Sequence, residues 1–288
     1  MSQYQRLLLI TDRSLYHSPA LLRAVALAKA SGAALDIRAF IEPAPIIHLW
    51  EEHVDESAFQ DYLHRYRDWL IDEVQRLGGN GLKVTVELLF TTHPVLEILR
   101  TIADLNPDLV IKDVKLEPVL KRIFITPLDC HLLRECPTPL HLVSQARYGL
   151  PHRVVAAVDP FEPGTQISGL NDTIIQCAYS MALQCDAPLA MGGWNVDFAE
   201  ELRQSLHQAF VTLADRYGVP PERRHFVMGQ PVPVIQEFVE QFQADVVVMG
   251  TAHRVGLDRL IGSNTERALY SVPGSILAIR QPGSDVKG

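Results

Sequence analysis

Two things are scarce in this 288-residue sequence: cysteine and long apolar runs. The cysteines number four and none stands in a C-x-x-C pair, so the sequence indicates neither a zinc ribbon nor a thioredoxin-type redox site. No apolar run approaches the roughly 18 to 20 residues of a membrane-spanning helix, and residues 1–6 lack the pattern of a signal peptide. These absences predict a cytoplasmic protein with no membrane partner and with reduced thiols. The cysteines are Cys130, Cys136, Cys177 and Cys185.

An excess of basic residues is also missing. Lys and Arg total 26 against 34 Asp and Glu, which gives a formal net charge of −8. Proteins that bind nucleic acid normally carry clustered Lys and Arg, so we expect no nucleic-acid partner. The motifs G-x-S-x-G, H-E-x-x-H and G-x-x-x-x-G-K-[ST] are absent as well, and we predict neither catalytic residues nor a metal site.

Strands and helices alternate along the chain. A continuous apolar run at Arg6–Asp12 predicts a strand buried on both faces, and leucines and alanines at helical spacing follow at Pro19–Ser31. Gly32 is expected to end that helix, and Ala34–Ile41 predicts the next strand. Strand, helix and strand at this spacing predict a parallel sheet with right-handed crossovers.

The order of elements repeats in the second half of the chain. Pro94–Ile98 aligns with Pro231–Ile235, and Pro107–Ile111 aligns with Ala244–Val248. Both halves also open on an apolar strand that ends in aspartate. A repeat of this length indicates a tandem duplication. The predicted limits are 1–146 for the first domain, 152–281 for the second and 282–288 for a disordered tail.

A candidate phosphate site lies in the second half, between an apolar strand and a predicted helix. Gly250 follows the strand and Gly262 precedes the helix. Glycine allows close approach of the backbone, and a helix N-terminus presents unpaired N–H groups to an anion. Ser263 and Glu266 also form a capping-box pattern, so Ser263 is interpreted either as a cap alone or as a cap that also contacts phosphate.

These features resemble the universal stress protein family. The second half carries Asp159 after its first strand, then Gly250, and then Gly262-Ser263 before its last helix. The segment Phe124–Leu140 resembles the degenerate first domain of the tandem, E-type members of that family. The resemblance implies an α/β fold of two tandem domains, each a five-stranded parallel sheet flanked by helices in the adenine nucleotide alpha hydrolase-like arrangement. It also implies that the two domains pack as a pseudo-dimer.

The resemblance further assigns roles to the loop residues. In the nucleotide-binding branch of the family, the aspartate meets the nucleoside and the glycine-rich loop wraps the phosphates. By analogy, Asp159 contacts the nucleoside of ATP or another adenine nucleotide, and Gly250, Gly262 and Ser263 contact its phosphates. The alternative for Asp159 is a turn residue at the end of a strand.

Two features depart from the family pattern. His253 stands where the family has its second glycine, and the span from Gly250 to Gly262 is one residue shorter. The β-carbon of His253 narrows the path for a phosphate, whereas Gly256 partly compensates. His253 is interpreted either as a phosphate contact or as an ordinary loop residue.

The first half lacks the glycines of this loop. Asp113 occupies the place of the first glycine, and Thr126-Pro127 replaces Gly-Ser. Proline lacks the N–H donor that a phosphate needs, and the carboxylates of Asp113 and Glu117 repel it. We therefore expect no nucleotide in the first half and regard Asp12 as vestigial.

The segment 43–56 has no counterpart in the second half. His48 and Glu52 stand four residues apart, which fits either a shared metal ion or, as we expect, an exposed helical turn. The apolar residues of the segment suggest a cover over a cleft that accepts a hydrophobic ligand. They are Ile46, Ile47, Leu49 and Trp50.

Three functions remain open from the sequence. The first is a cytoplasmic stress-response protein that acts as a non-catalytic binding or regulatory module, with an adenine nucleotide in its second half. The second is a slow ATPase or an adenylyl-transferring enzyme on the same scaffold. The third is a carrier of an apolar small molecule or lipid. The intramolecular pseudo-dimer leaves homodimerisation of two chains open.

Overall fold

The computed structural model describes residues 4–11, 18–41, 56–78, 80–117, 122–124, 126–144, 149–158, 169–195, 200–228, 231–251 and 274–280. The first half contributes β1 (Arg6–Thr11), α1 (Pro19–Ser31), β2 (Ala34–Ile41), α2 (Glu56–Arg76), β3 (Val84–Phe90), α3 (Pro94–Leu105), β4 (Leu109–Asp113), β5 (Lys115–Glu117), β6 (Arg122–Phe124), α4 (Pro127–Glu135) and β7 (Leu140–Val143). The second half contributes β8 (Val154–Val158), α5 (Leu170–Gln184), β9 (Leu189–Asn195), α6 (Glu200–Arg216), β10 (Arg224–Met228), α7 (Pro231–Phe242), β11 (Val246–Thr251) and β12 (Ser275–Arg280).

Local signals in the sequence set the ends of α1. The Oγ of Ser18 accepts a hydrogen bond from the N–H of Leu21 at 2.9 Å, and Pro19 supplies a helical φ in the first turn. The helix ends where Gly32 adopts a left-handed φ of +71°. The bounds of α1 and of the strand that follows it therefore agree with the sequence prediction.

The strand order divides the main sheet into two sets of five. It runs β10-β9-β8-β11-β12-β7-β4-β1-β2-β3. Neighbouring strands are parallel, except that β12 and β7 are antiparallel. Each set has the same internal order, and the two sets join through their last strands. The predicted α/β fold of two five-stranded parallel sheets packed as a pseudo-dimer is confirmed, while the predicted domain limits stay a prediction.

The two halves repeat the same hydrogen bonds at the amino-terminal edges of their sheets. Asp108 Oδ2 accepts from the backbone N–H of Arg6 at 2.9 Å, and Asp245 Oδ2 accepts from that of Arg153 at 2.9 Å. Each arginine also donates from Nη1 to the last carbonyl of the helix before the aspartate, at 2.9 and 2.7 Å respectively. The duplication is therefore visible in side-chain contacts as well as in the order of elements.

Helices cover both faces of the sheet. One face packs against α1, α2, α5 and α6, and the other packs against α3, α4 and α7. In β1, Leu7 and Leu9 point to the first face while Leu8 and Ile10 point to the second. Because both faces are buried, the central strands are apolar along their whole length rather than alternating.

The joint between the halves is centred on His141 of β7 and Leu277 of β12, which stand opposite each other and are fully buried. His141 Nδ1 lies 3.2 Å from the carbonyl oxygen of Ile276, so Nδ1 carries the proton that is donated. Burial lowers the pKa of His141 to about 3, and the nearby guanidinium of Arg23 acts in the same direction. The imidazole is therefore neutral at physiological pH.

Two described segments differ from the sequence prediction. The sequence after Asp113 shows no strand pattern and reads as a loop, but β5 and β6 pair there as a small antiparallel hairpin outside the main sheet. Pro221–Arg223 forms an unpredicted 3₁₀ turn. Segments of three residues are too short to show a hydrophobic period. The insertion up to residue 55, the helix predicted at 264–270 and the predicted tail lie outside the described residues.

Candidate functional site

Open parallel sheets bind ligands beyond the carboxyl ends of their strands, at the point where the strand order reverses. In the first half this point lies between β1 and β4, because β2 and β3 follow on one side and β4 and β7 on the other. In the second half it lies between β8 and β11. The residues predicted for the site follow these strand ends.

Gly250 is the one predicted site residue of the second half that the structure describes. It lies near the carboxyl end of β11, beside Ile279 of β12. The other five, Asp159, His253, Gly256, Gly262 and Ser263, lie outside the described residues. The site in the second half therefore stays a prediction. The structure describes only the strands that lead to it, β8 and β11.

The structure explains why a glycine is needed at position 250, which the sequence alone did not show. A β-carbon at this position would stand 2.7 Å from Leu170 Cδ2 and 3.2 Å from Ile174 Cδ1, both on α5. Real β-carbons do not come so close to other carbon atoms, so α5 packs against this strand only because the side chain is missing. Close packing of a helix thus explains the glycine whether or not a phosphate binds beyond it.

Substituting Gly250→Ala is expected to lower the free energy of unfolding by about 1 to 3 kcal/mol, because the added methyl group overpacks the contact with Leu170. Urea denaturation of the single variants, and of the double variant with Leu170→Ala, measures this cost. The double variant should lose less stability than the two single variants added together. Strictly additive losses would show that Leu170 is not what limits the space at Gly250.

Asp113, at the end of β4, fills the same place in the first half. Its Oδ1 accepts a hydrogen bond from the N–H of Ala20 at 2.8 Å, and its Oδ2 accepts from the hydroxyl of Ser18. The carboxylate is buried and therefore serves the N-terminus of α1, where a negative group is stabilised by free N–H donors and the helix dipole. Sequence reasoning predicted that Asp113 repels phosphate but missed this contact, since no local pattern links residues so far apart in the chain.

Asp129 plays a similar part at the N-terminus of α4. Its Oδ2 accepts from the N–H and the hydroxyl of Thr126, each at 2.8 Å, and the N–H of Asp129 donates to Thr126 Oγ1 at 3.2 Å. Its Oδ1 lies 2.7 Å from Nζ of Lys112, and Asp129 is 1% exposed. The sequence signal was present, since Thr and Asp three residues apart fit a capping box, but Lys112 could not be paired with it from spacing.

A cavity of about 430 Å³ opens at this strand end in the first half. The Lys112–Asp129 pair and the carboxylate of Asp113 lie at its polar side. Most of its wall is apolar and includes Ile10, Phe40, Val95, Ile98 and Leu128. Both carboxylates already bind N–H groups or an ammonium group, and the ammonium group of Lys112 is paired with Asp129. The negative charge and apolar wall of the cavity therefore disfavour the binding of a phosphate.

The described residues were also compared with the requirements of a metal site and of a membrane span. They contain no group of three or more His, Cys, Asp and Glu side chains that could hold a metal ion. His48 and Glu52, the pair considered for a metal, lie outside these residues. Within the same ranges, no helix is both long enough and apolar enough to cross a bilayer.

The family model of the Universal stress protein family matches residues 3–144 and 181–280, which together are most of the chain. The chain belongs to the universal stress protein family. The first matched region holds all five main-sheet strands of the first half, and the second begins after β8 and holds β9 to β12. The resemblance stated from the loop residues is thereby confirmed.

Relatives in the universal stress protein family match nearly the whole length of the chain. Universal stress protein E of Escherichia coli (strain K12) is 24% identical over 305 aligned positions, covering 97% of this chain and 95% of the relative. Universal stress protein E of Photorhabdus laumondii subsp. laumondii is 25% identical, covering 98% and 97% respectively. The similarity to E-type members therefore extends through both halves.

Solved universal stress proteins share the fold. A universal stress protein from Pseudomonas aeruginosa UCBPP-PA14 superposes with a TM-score of 0.77 at 24% identity, covering 96% of this chain and 94% of that one. One from Archaeoglobus fulgidus DSM 4304 gives a TM-score of 0.70 at 16% identity, covering 95% and 98%. At these identities the comparison shows the fold and carries no statement about a ligand.

Proposed function

We propose that this universal stress protein is a cytoplasmic stress-response module that binds an adenine nucleotide, such as ATP, in its second half without turning it over. The observation that supports this most is the difference between the two copies at the same strand end. Asp113 places a carboxylate beside the strand end of the first copy, whereas Gly250 has no side chain at the matching position.

The two halves also differ in the N–H groups at the start of the helix that follows this strand end. In the first copy α4 begins at Pro127, which has no N–H to donate to a phosphate. At the matching position of the second copy the sequence has Ser263, which keeps its N–H and follows Gly262. The second copy therefore keeps an N–H group where the first copy has proline, which supports a phosphate contact in the second copy.

The proposed contacts follow the family resemblance. Asp159 follows β8 directly and would bind the nucleoside, and Gly262 and Ser263 would bind phosphate oxygens through their N–H groups. His253 and Gly256 would line the loop between them. The proposed nucleotide contacts are made by these five residues. Gly250, near the carboxyl end of β11, would allow the chain to pass close to the ligand.

Calorimetric titration with ATP and Mg²⁺ tests the nucleotide site. The wild-type chain is expected to bind ATP saturably, and Gly262→Asp, which adds a carboxylate to the loop, is expected to abolish the binding. Asp113→Asn is the matched control in the first copy, because it removes one charge with little change in shape and should leave the affinity unchanged. Absence of saturable binding at millimolar ATP, or equal loss in Asp113→Asn, would contradict a nucleotide site in the second half.

The same preparation tests whether the module is an enzyme. The sequence between Gly250 and Glu266 contains no lysine, so phosphoryl transfer would lack a usual partner for the charge of its transition state. ATP incubated with the protein should be recovered intact. Release of phosphate, pyrophosphate or AMP above the rate of the Gly262→Asp variant would favour the slow ATPase or adenylyl-transferring alternative.

The cavity of the first half favours a second function, the binding of an apolar small molecule. Its wall of Ile10, Phe40 and Ile98 suits a hydrocarbon group, and the Lys112–Asp129 pair lies at its polar side. Native mass spectrometry of the purified chain should then show retained ligand mass. Val95→Trp, which points bulk into the cavity, should remove that mass, whereas Leu96→Trp on the exposed side of α3 should keep it. A wild-type spectrum without added mass would count against a carrier.

A further inference from the structure

A second cavity, of about 520 Å³, lies along α5 on the side that faces the first half. Its wall includes Tyr4 and Asp108 from the first half, and Cys177 and Leu277 from the second. We call it the α5 cavity. Because Tyr4 and Asp108 precede β1 and β4, the cavity lies at the amino-terminal edge of the first half's sheet, away from the strand ends proposed for the nucleotide.

The internal duplication identifies the counterpart of Cys177 in the first half. Gly32 and Asp186 follow α1 and α5 with left-handed φ values of +71° and +51°. Aligning the two helices at these residues matches Cys177 with Arg23, and each of the two is followed by a fully buried alanine. A cysteine in one half therefore stands where the other half has an arginine.

Two further residues of the wall have counterparts on the other side of the joint. Asp245 matches Asp108, because each accepts the same backbone hydrogen bond at the amino-terminal edge of its sheet. His141 matches Leu277, because the two stand opposite each other in the antiparallel pair of β7 and β12. The α5 cavity thus corresponds to the space beside Asp245 and His141.

The side chain of Arg23 lies in that corresponding space. Arg23 is 2% exposed. Burial lowers its pKa to about 10, while the thiol of Cys185 and the carboxylate of Asp245 act in the opposite direction. Burial, and after it the charge of Arg23, lowers the pKa of His141 to about 3. The guanidinium of Arg23 is therefore close to both Asp245 and His141.

In the α5 cavity the side chain of Cys177 is too short to bring a cation to Asp108. The carboxylate of Asp108 accepts the N–H groups of Gln5 and Arg6 at 2.7 and 2.9 Å, both through Oδ2. Within the described ranges, no donor is bonded to its Oδ1. Asp108 is exposed, so its negative charge is available to a cation that enters the cavity.

Arg216 also lines the cavity, but its positive charge is already paired. Its Nη1 lies 2.9 Å from Oδ1 of Asp172, and its guanidinium carbon lies 6.0 Å from the centre of the Tyr217 ring. Together with Tyr4 and Tyr179, Tyr217 brings three aromatic rings to the wall. Aromatic faces and a carboxylate are groups that bind organic cations.

We propose that the α5 cavity binds a small organic cation, in which an amidinium, guanidinium or ammonium group is attached to an apolar body. The charged group lies between Cys177 and Asp108, as the guanidinium of Arg23 lies near Asp245 in the other half. The apolar body lies against Leu277 and the tyrosine rings. The volume of the cavity is within the range of about 300 to 1,000 Å³ that is usual for small-molecule sites.

Calorimetric titration of the full chain with benzamidine, in the absence of nucleotide, tests the proposal. Benzamide has nearly the same shape without the charge, and it should bind at least about tenfold more weakly. Asp108→Asn, which keeps an oxygen for the N–H groups of Gln5 and Arg6, should weaken the binding of benzamidine several-fold. No saturable binding of benzamidine at millimolar concentration, or equal affinity for the two compounds, overturns the proposal.

A second variant fills the cavity with a guanidinium from the chain itself. Cys177→Arg repeats in α5 the residue that α1 has at the matching position, and it should abolish the binding of benzamidine. Gln208→Arg adds the same charge at an exposed position of α6 and should leave the affinity unchanged. Binding of benzamidine to Cys177→Arg with the wild-type affinity overturns the proposal.

Labelling of Cys177 locates the ligand in the wild-type chain. Its thiol lines the cavity, and burial raises its pKa to about 11, so its reaction with a maleimide should be slow. Saturating benzamidine should slow this reaction several-fold further, while Cys185, which lies outside the wall, keeps its rate. An unchanged rate at Cys177, or equal slowing of both thiols, overturns the proposal. Because no nucleotide is used, these outcomes are independent of the nucleotide site proposed for the second half.

Discussion

Replacing Asp129 with alanine is expected to destabilise the chain by about 3 to 5 kcal/mol, the cost of leaving one partner of a buried ion pair alone. The substitution removes the anion that lies 2.7 Å from Nζ of Lys112, whose side chain is 13% exposed. It also frees the N–H of Thr126 at the start of α4. Urea denaturation followed by circular dichroism measures the loss.

Two controls separate the buried pair from a general effect on α4. Glu135→Ala removes the contact between its carboxylate and His131 Nδ1 on the same helix, where both side chains are about half exposed, and should cost less than about 1 kcal/mol. Lys112→Met combined with Asp129→Asn should regain much of the stability, because no unpaired charge remains buried. A loss below about 1 kcal/mol for Asp129→Ala would show that water reaches Lys112.

Acidification is expected to weaken the joint between the halves through His141. Its pKa is 6.5 when exposed and falls to about 3 in the folded chain, because burial disfavours the charged imidazole. Between these two values the unfolded chain binds a proton that the folded chain does not. The free energy of unfolding should therefore fall by about 1.4 kcal/mol per pH unit as the pH drops below 6.5.

The variant His141→Leu isolates this contribution, since the residue opposite is already Leu277. Urea denaturation of both chains should be compared from neutral pH down to about pH 4.5, where other groups titrate in both. The wild-type chain should lose stability faster than the variant, so that their difference changes with pH. Parallel curves would show that His141 is protonated in the folded state or that the joint opens before unfolding.

Much of the fold could be predicted from local patterns in the sequence. Pro19 and Gly32 mark the ends of α1, and the apolar run of β1 predicts a strand covered on both sides, as the structure shows. The repeat of elements predicts two similar halves, and the family resemblance predicts that they pack as a pseudo-dimer, which the structure forms through the antiparallel pairing of β7 and β12. The hairpin of β5 and β6 was missed because three-residue strands give no period.

The site was less predictable because its contacts join distant parts of the chain. Asp113 was expected to repel phosphate, yet its bond to the start of α1 depends on how β4 and α1 are placed by the whole sheet. The packing of Leu170 over Gly250 likewise has no signal in sequence, since a glycine is equally suited to a phosphate loop and to a tight contact. Spacing along the chain identified the positions but not the partners.

The two halves differ in the groups that lie at the carboxyl ends of their sheets. In the first copy, Asp113 and Asp129 supply from within the chain the negative groups that stabilise the starts of α1 and α4. A largely apolar cavity opens at the same strand end. In the second copy the matching strand end has Gly250, and the loop after it keeps Gly262 and Ser263. Divergence of these residues after the duplication thus explains why we propose a nucleotide site in the second half and an apolar ligand site in the first.

Photolabelling with 8-azido-ATP, followed by mapping of the labelled peptides, tests the central claim most directly. The label attaches beside the adenine ring, so it reports which copy holds the nucleotide. Labelled peptides should come from residues after Pro151, unlabelled ATP should compete, and Gly262→Asp should lose the label. Competable labelling of the peptides around Lys112 and Asp113, or no competable labelling at all, would contradict a nucleotide site confined to the second half.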